Sequence, residues 1–215
     1  MRARSAWIPA QGKPTVTLLL RHGQTPMSVE KRYAGRTDVP LTEAGLTQAA
    51  AAAKRLASAG IDAIVTSPLQ RTVQTAEAVA AVTGVPVTAD EGFRETDFGD
   101  WDGLTFAEVR ERWPSEMTAW LADPQIAPPG GESFAEVSER VTAALARVLA
   151  GRAGQRVLIV SHVTPIKTLV AAALLAPPPA LFRMHLDVAA LCEIDWYADG
   201  PAVLRSFNDT AHLGG

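Results

Sequence analysis

Three short apolar runs in this chain each end at polar residues and a turn, and this pattern constrains the fold more than any other feature. The runs are LLLRHGQT, AIVTSPLQR and VLIVSHVTP. Short runs rich in Val, Ile and Leu are typical of strands buried on both faces, as in parallel sheets. Because helical patterns separate the runs, the sequence predicts an α/β fold: a three-layer sandwich with a mostly parallel central sheet flanked by helices.

Capping residues and turns set the boundaries of the predicted elements. We expect strands at residues 16–20, 61–66, 85–88, 156–160, 186–196 and 202–207. Helices are predicted from Thr42 to residue 58, from Pro68 to Gly84, and from Ser133 to residue 150, and another helix follows His162. The stretch 93–103 is predicted to be a loop.

The chain shows no internal repeat and no linker that would divide it. Residues 1–13 are small, polar and basic and predict a flexible arm or linker, while residues 14–215 predict one domain. Residues 104–132 resemble a flap-like helical insertion. Apolar residues recur there at helical spacing, and they indicate either ordinary core or an apolar wall for a substrate: Phe106, Val109, Trp113, Met117 and Trp120.

Composition excludes several classes of protein. The chain has 20 Lys+Arg against 23 Asp+Glu and a net charge of −3, which argues against a surface for nucleic acid. Cys192 is the only cysteine, so no internal disulfide and no cysteine zinc site is expected. The N-terminal stretch lacks an apolar core of the secretory type, and no apolar run is long enough to cross a membrane. We therefore expect a cytoplasmic protein without membrane partners.

The ends of the three apolar runs carry the residues that indicate a functional site. Ligands of open α/β sheets bind outside the carboxyl ends of the strands, so side chains there can converge although they are distant in sequence. Two guanidiniums and two imidazoles at one point would repel each other unless an anion lay between them, and forked guanidinium donors suit a phosphate. The converging residues are Arg21, His22, Ser67, Arg71 and His162.

This set of residues predicts phosphoryl chemistry without a metal. A neutral imidazole can attack phosphorus, and neighbouring arginines lower its pKa and so keep the attacking nitrogen deprotonated. No Walker-type loop and no aspartate cluster for magnesium is evident, so no metal and no cofactor is expected. The leaving oxygen needs a proton from a carboxyl group. Glu95 lies on a suitable loop, which also holds other acids: Glu91, Asp97, Asp100 and Asp102.

Four motifs in this order resemble the histidine phosphatase superfamily, the phosphoglycerate mutase-like proteins. They are RHGQT, SPLQRTVQTAE, ETDFGDWDG and SHVTPIK, and they span roughly residues 16 to 170. The resemblance implies that His22 is the phosphorylated nucleophile and that Arg21, Arg71 and His162 bind phosphate. It also implies that Glu95 is the general acid and then the base for water.

Finer features are similar to α-ribazole phosphatases and broad acid phosphatases, and to the phosphatase half of actinobacterial proteins fused to a ribonuclease H domain. The resemblance adds Gln24, Thr25, Ser28 and Val163 to the predicted phosphate-binding residues. Ser28 stands where the family often has Asn, and Val163-Thr164 stand where Gly-Gly is common. The long insertions of the glycolytic mutases are missing.

The sequence therefore predicts a metal-independent phosphomonoesterase for a small phosphorylated metabolite. We expect His162 to act as a cationic donor, with better activity on the acidic side of neutral. Two alternatives stay open: a mutase that returns the phosphoryl group to an intermediate, and a module that binds a phosphorylated ligand without turnover. Fusion to or pairing with a ribonuclease H domain, and a homodimer, also stay open.

Overall fold

The protein contains a mixed sheet, described by a computed structural model that covers residues 11–214. Six strands form it within this range: β1 (Thr15–Arg21), β2 (Ala63–Thr66), β3 (Val87–Ala89), β4 (Arg156–Ser161), β5 (Leu191–Trp196) and β6 (Ala202–Asp209). Their order is β3-β2-β4-β1-β5-β6. The first four strands in sequence are parallel, and β5 and β6 pair antiparallel at one side. The predicted mostly parallel sheet is confirmed.

The register of β1, β4 and β2 aligns their carboxyl ends. Arg21 pairs with Ser161 across β1 and β4, and Thr66 pairs with Val160 across β2 and β4. Since parallel strands end at the same edge of a sheet, the residues that follow these three strands meet there: His22, Ser67 and His162.

Seven helices connect the strands within the described range: α1 (Pro26–Glu30), α2 (Glu43–Leu56), α3 (Gln70–Thr83), α4 (Phe106–Arg112), α5 (Pro114–Ala122), α6 (Phe134–Leu149) and α7 (Val163–Ala173). The predicted N-caps are confirmed. The Thr42 side chain accepts a hydrogen bond from the N–H of Gly45, and Ser133 forms a capping box with Glu136.

Two element boundaries were predicted wrongly for local reasons. α3 begins at Gln70 rather than at Pro68, because the residue between them keeps an extended backbone. β5 begins at Leu191 rather than at residue 186, because residues 187–190 form a turn in which Ala189 has a φ of 54°. Other predicted boundaries differ from the observed ones by about one or two residues. The observed boundaries are Leu56, Ala63, Val87, Leu149 and Asp209.

Helices cover both faces of the sheet, which confirms the three-layer arrangement. Successive side chains of a strand point to opposite faces. In β1, Leu18 and Leu20 pack with the buried faces of α2 and α3, whereas Leu19 packs with α6 and α7. Each face therefore has its own apolar core, and the polar edge above the strand ends is left for a site.

A smaller aromatic cluster packs around residues 104–132. Its buried members include Val109, Met117 and Trp120 of the predicted stripe, so the core interpretation is confirmed for these three. Phe106, by contrast, is 44% exposed. The cluster also includes Phe98 and Trp101, which precede this segment, and Phe134, the first residue of α6. That residues 104–132 move as a flap stays a prediction.

Residues 1–10 lie outside the described part of the chain, so most of the arm predicted at residues 1–13 stays a prediction. At the described end of the arm, the backbone N–H of Gln11 donates to the carboxylate of Asp199. Within residues 11–214, no helix has the length and apolar character needed to cross a membrane.

The loop after β1 lies directly against the first turn of α2. The Thr42 N–H and hydroxyl donate to the Gln24 backbone and side-chain oxygens, each at 2.9 Å. A methyl group on Gly23 would lie 2.5 Å from the Gly45 carbonyl oxygen, and one on Gly45 would overlap the Gln24 carbonyl. Glycine at both positions therefore lets this loop, which carries His22, seat against the helix.

We predict that Gly45→Ala destabilises the protein by about 1–3 kcal/mol, although alanine ordinarily favours a helix over glycine. The added methyl group has no space beside Gln24. Chemical denaturation measures the free energy of unfolding. Gly214→Ala is the matched control, because a methyl group there meets no heavy atom of the described chain within 4 Å. Equal stability of the two variants would contradict the prediction.

Candidate functional site

A cavity of about 320 Å³ opens at the carboxyl edge of the sheet. One end is polar and is lined by Arg21, His22, Thr25 and Glu95. Its other walls are largely aromatic and include Tyr33, Phe98, Trp120 and Phe134. The cavity therefore joins a charged end, suited to a phosphate, to an apolar end with room for a leaving group.

The two imidazoles predicted to converge do so. The ring centroids of His22 and His162 lie 5.2 Å apart, with an angle of 61° between the ring planes. His22 is 6% exposed and His162 is fully buried. This contact confirms that the ends of β1 and β4 form one cluster.

A backbone contact fixes the protonation of His22. Its Nδ1 lies 2.8 Å from the carbonyl oxygen of Gly23. Because a carbonyl only accepts, Nδ1 carries the hydrogen in the neutral ring, and Nε2 keeps its lone pair. His22 thus presents an unprotonated nitrogen for attack.

His162 is held between two side chains. The Arg71 Nε–H donates to His162 Nδ1 at 3.3 Å, so His162 Nε2 carries the hydrogen and donates to the Ser67 hydroxyl at 2.8 Å. Both ring nitrogens therefore have partners within the protein. His162 and Arg71 lie beneath the cavity rather than on its lining.

Burial, first of all, lowers the pKa of both imidazoles well below the usual value, and Arg21 and Arg71 lower it further. The expected effect of the arginines on His22 is confirmed. The expected role of His162 as a cationic donor to phosphate stays a prediction. Desolvation and the adjacent guanidinium favour the neutral ring, and its Nδ1 already accepts from Arg71.

The two guanidiniums differ in how much of their hydrogen-bonding capacity the fold uses. Arg71 donates to His162 and to the backbone carbonyls of Ala34, Gly35 and Thr37. Arg21 donates through Nη1 to the carbonyl of a loop residue, Leu186, at 2.6 Å, while its buried Nε has no partner among the described residues. Burial lowers the pKa of Arg21 to about 10. Arg21 is therefore the guanidinium placed to bind an anion directly.

Glu95 is the acid of its loop that lines the cavity, unlike the other acids between Glu91 and Asp102. Its carboxylate accepts from the backbone N–H groups of Val163 at 3.1 Å and Thr164 at 3.3 Å, at the start of α7. The neighbouring Asp102 is used structurally and accepts from the loop that holds Arg71. The structure thus separates Glu95 from the alternatives that the sequence left open.

Comparison with known proteins agrees with this geometry. The family model of the histidine phosphatase superfamily (branch 1) matches residues 17–210. The chain belongs to this superfamily.

Two relatives illustrate the range of this histidine phosphatase family. Bifunctional protein Rv2228c of Mycobacterium tuberculosis (strain ATCC 25618 / H37Rv) is 49% identical over 208 residues, which are 96% of this chain and 57% of that protein. The chain thus spans little more than half the length of that relative. A protein named Probable phosphoglycerate mutase GpmB, from Salmonella paratyphi B, is 38% identical over 205 residues, covering 91% of this chain and 93% of that protein.

Solved structures show the same fold. Mycobacterial glucosyl-3-phosphoglycerate phosphatase Rv2419c, in complex with VO3, superposes with a TM-score of 0.83 at 33% identity and covers 91% of this chain and 100% of its own. The alpha-ribazole phosphatase from Shigella flexneri gives a TM-score of 0.82 at 30% identity, covering 91% of this chain and 96% of its own.

The remaining residues predicted to bind phosphate have unequal positions in this histidine phosphatase. Thr25 lines the cavity, and its hydroxyl caps α1 by accepting from Ser28 N–H, which leaves the hydroxyl hydrogen available. The Ser28 hydroxyl donates its hydrogen to the Thr25 carbonyl. The Gln24 side chain instead accepts from Thr42 and does not line the cavity. The Val163 N–H faces the site but donates to Glu95. Binding of phosphate by these four residues stays a prediction.

Several residues of the cavity lining were not predicted from the sequence. Lys167 lines the cavity, and burial together with the nearby Arg21 lowers the pKa of its amine. A signal was present in the sequence, because Lys167 follows Val163 by four residues on one helix and so shares its face. Tyr33 and Phe134 carried no comparable signal, since only the tertiary fold brings the Tyr33 loop and the start of α6 to the cavity.

We predict that stability falls with pH below about 6.5 and that His22→Asn reduces this loss. Folding lowers the pKa of His22. Below pH 6.5 the unfolded chain therefore binds a proton at this imidazole that the folded chain does not bind. The effect is absent well above pH 6.5 and grows as pH falls, by up to about 1.4 kcal/mol per pH unit for each such imidazole. Urea unfolding from pH 8 to pH 5 measures the slope. An identical slope for the variant would refute the assignment.

Proposed function

We propose that this chain hydrolyses small phosphate monoesters through a phosphohistidine, without a metal ion. The observation that carries the proposal is His22, which lines the same cavity as Arg21 and whose Nδ1 contact with the Gly23 carbonyl leaves Nε2 unprotonated. In the described residues, no group of three or more His, Cys, Asp or Glu side chains is arranged to hold a metal. Charge on the transferred group is then neutralised by side chains of the cavity.

The first chemical step transfers the phosphoryl group to the protein. His22 Nε2 attacks phosphorus, a P–N bond forms, and the ester P–O bond breaks. Glu95 in its protonated form gives its proton to the departing oxygen, so the leaving group departs as an alcohol.

The second step restores the protein. Water attacks the phosphohistidine, Glu95 accepts the proton of that water, and the P–N bond breaks to release inorganic phosphate. The Arg21 guanidinium and the Thr25 hydroxyl belong to residues that line the cavity and can donate to the phosphoryl oxygens. His162 contributes by packing against His22 as a neutral ring held by Arg71.

The substrate class follows from the shape of the cavity and from the relatives. The aromatic walls suit a leaving group with an apolar face, and related structures are named as phosphatases of glucosyl-3-phosphoglycerate and of alpha-ribazole phosphate. We infer an acid phosphatase or α-ribazole phosphatase type of activity. A phosphoglycerate mutase-type transfer is the second candidate, because the relative GpmB carries that name.

We predict that the wild-type protein releases inorganic phosphate from monoesters without an added bisphosphate, and that His22→Ala lowers kcat by at least about 10³-fold. The reason is that the variant lacks the imidazole nitrogen that is proposed to attack phosphorus. Phosphate release and trapping of an acid-labile labelled intermediate measure the two steps. Activity of the variant within about tenfold of wild type would show the nucleophile to be another residue. Release that needs a bisphosphate would instead favour the mutase.

We predict that Glu95→Gln lowers kcat/KM for an alkyl phosphate by about 100-fold or more, but for p-nitrophenyl phosphate by less than about tenfold. An alkoxide must be protonated as it leaves, whereas nitrophenolate departs unaided. Glu91→Gln is the matched control, because Glu91 lies on the same loop and pairs with Arg94 at the surface. Equal losses of kcat/KM on both substrates in Glu95→Gln would show that Glu95 is not the general acid.

A further inference from the structure

A single guanidinium from α6 holds the main chain of the loop that carries Glu95. Arg140 Nη1 donates to the carbonyls of Gly92 at 3.0 Å and Arg94 at 2.8 Å, and its Nη2 donates to the Glu95 carbonyl at 2.9 Å. The same guanidinium forms two bonds with the Glu132 carboxylate, at 2.6 Å through Nε and 2.8 Å through Nη2. Its five N–H donors are thereby all used.

Glu132 forms hydrogen bonds with the main chain of the same loop after Glu95. The Asp97 N–H donates to the Glu132 carboxylate at 3.3 Å, and the Glu132 N–H donates to the Asp97 carbonyl at 2.8 Å. Arg140 therefore fastens the loop before and at Glu95, while Glu132 fastens it two residues later. The ion pair between them is about one-fifth to one-quarter exposed, so it is partly screened from water.

The remaining carbonyl of this stretch ties the loop to the catalytic strand. The Ser161 hydroxyl donates to the Phe93 carbonyl at 2.7 Å, and Ser161 directly precedes His162. Four successive carbonyls, from Gly92 to Glu95, thus accept from side chains rather than from a strand or helix. Because no regular ladder fixes this loop, side-chain donors determine where Glu95 lies.

We propose that Arg140, with Glu132, is a positioning residue that sets the place of Glu95 for proton transfer. A general acid must lie within hydrogen-bond reach of the leaving oxygen, and shifts of about half an ångström in its support are costly. The inference rests on the proposed role of Glu95. It adds a residue outside the cavity, since Arg140 reaches Glu95 only through the main chain.

The test compares leaving groups in Arg140→Met, measured as kcat/KM for an alkyl phosphate and for p-nitrophenyl phosphate. A displaced acid slows only the reaction that needs a proton. We expect a loss of about 10- to 100-fold on the alkyl substrate and less than about threefold on the nitrophenyl substrate, the same selectivity as in Glu95→Gln. Arg140→Lys keeps the charge but cannot hold three carbonyls with a planar fork, so it is expected to show the same selectivity to a smaller extent.

Arg147→Met is the matched control. Arg147 lies on the same helix and forms hydrogen bonds with the Asp90 carboxylate, so the variant also removes an arginine–carboxylate pair but touches none of the four carbonyls. We expect it to leave both substrates unchanged. Should Arg140→Met fail to fold, Arg140→Lys and Glu132→Gln carry the same comparison.

Three outcomes separate the inference from the proposed function. Equal losses on both substrates in the Arg140 variants, or no loss on either, would overturn the positioning role. If Glu95→Gln is selective while Arg140→Lys and Glu132→Gln are not, only the present inference fails. If Glu95→Gln itself shows no selectivity, the acid assignment fails first, and the positioning role fails with it.

Discussion

The buried guanidinium of Arg71 is the interaction on which the rest of the site depends. A cation that is fully removed from water costs several kcal/mol unless hydrogen bonds replace its hydration, and Arg71 is 0% exposed. The loop at residues 34–37 supplies carbonyls to it, and His162 supplies a ring nitrogen. One side chain of α3 thereby fixes both a loop and the second imidazole, so the site cannot form unless the helix, the loop and β4 are all in place.

Burial, together with Arg21 and Arg71, determines the charge of the two imidazoles. Four cations in one low-dielectric space would repel each other strongly, and the structure avoids this by keeping both imidazoles neutral. For His22 the consequence is chemical, because only the neutral ring has a lone pair for phosphorus. For His162 the consequence is structural, because a neutral Nδ1 can accept from Arg71. Two permanent cations remain, which suits a dianionic phosphate.

Strand topology made most of the site predictable from sequence. Once the apolar runs were assigned to parallel strands, the residues after β1, β2 and β4 had to share an edge, and His22, Ser67 and His162 do so. The sequence could assign the general acid only to the loop that holds Glu95. Nothing in the sequence distinguishes a carboxylate that faces a cavity from one that caps or pairs elsewhere, as Asp102 does.

Protonation and hydrogen-bond partners were harder to predict. The neutral state of His162 depends on the direction of the Arg71 donor, and the Ser28 hydroxyl is occupied by a capping box; both are consequences of side-chain geometry. The start of β5 was missed because Ala189 adopts a left-handed backbone that a residue other than glycine seldom shows. Arg140 carries no signal in the sequence, since its partners are backbone carbonyls from a stretch more than forty residues earlier.

In the proposed reaction, chemistry and specificity are carried by different parts of the fold. The groups proposed to act on phosphorus lie at strand ends and on the loop held by Arg140, where small displacements are costly. The apolar walls come instead from the aromatic cluster beside residues 104–132, in which Trp120 and Phe134 stack with centroids 4.8 Å apart. These rings are also the core of that segment, so a change that enlarges the cavity removes packing from it at the same time. The leaving group that the cavity can accept is therefore limited by how much packing this segment can lose.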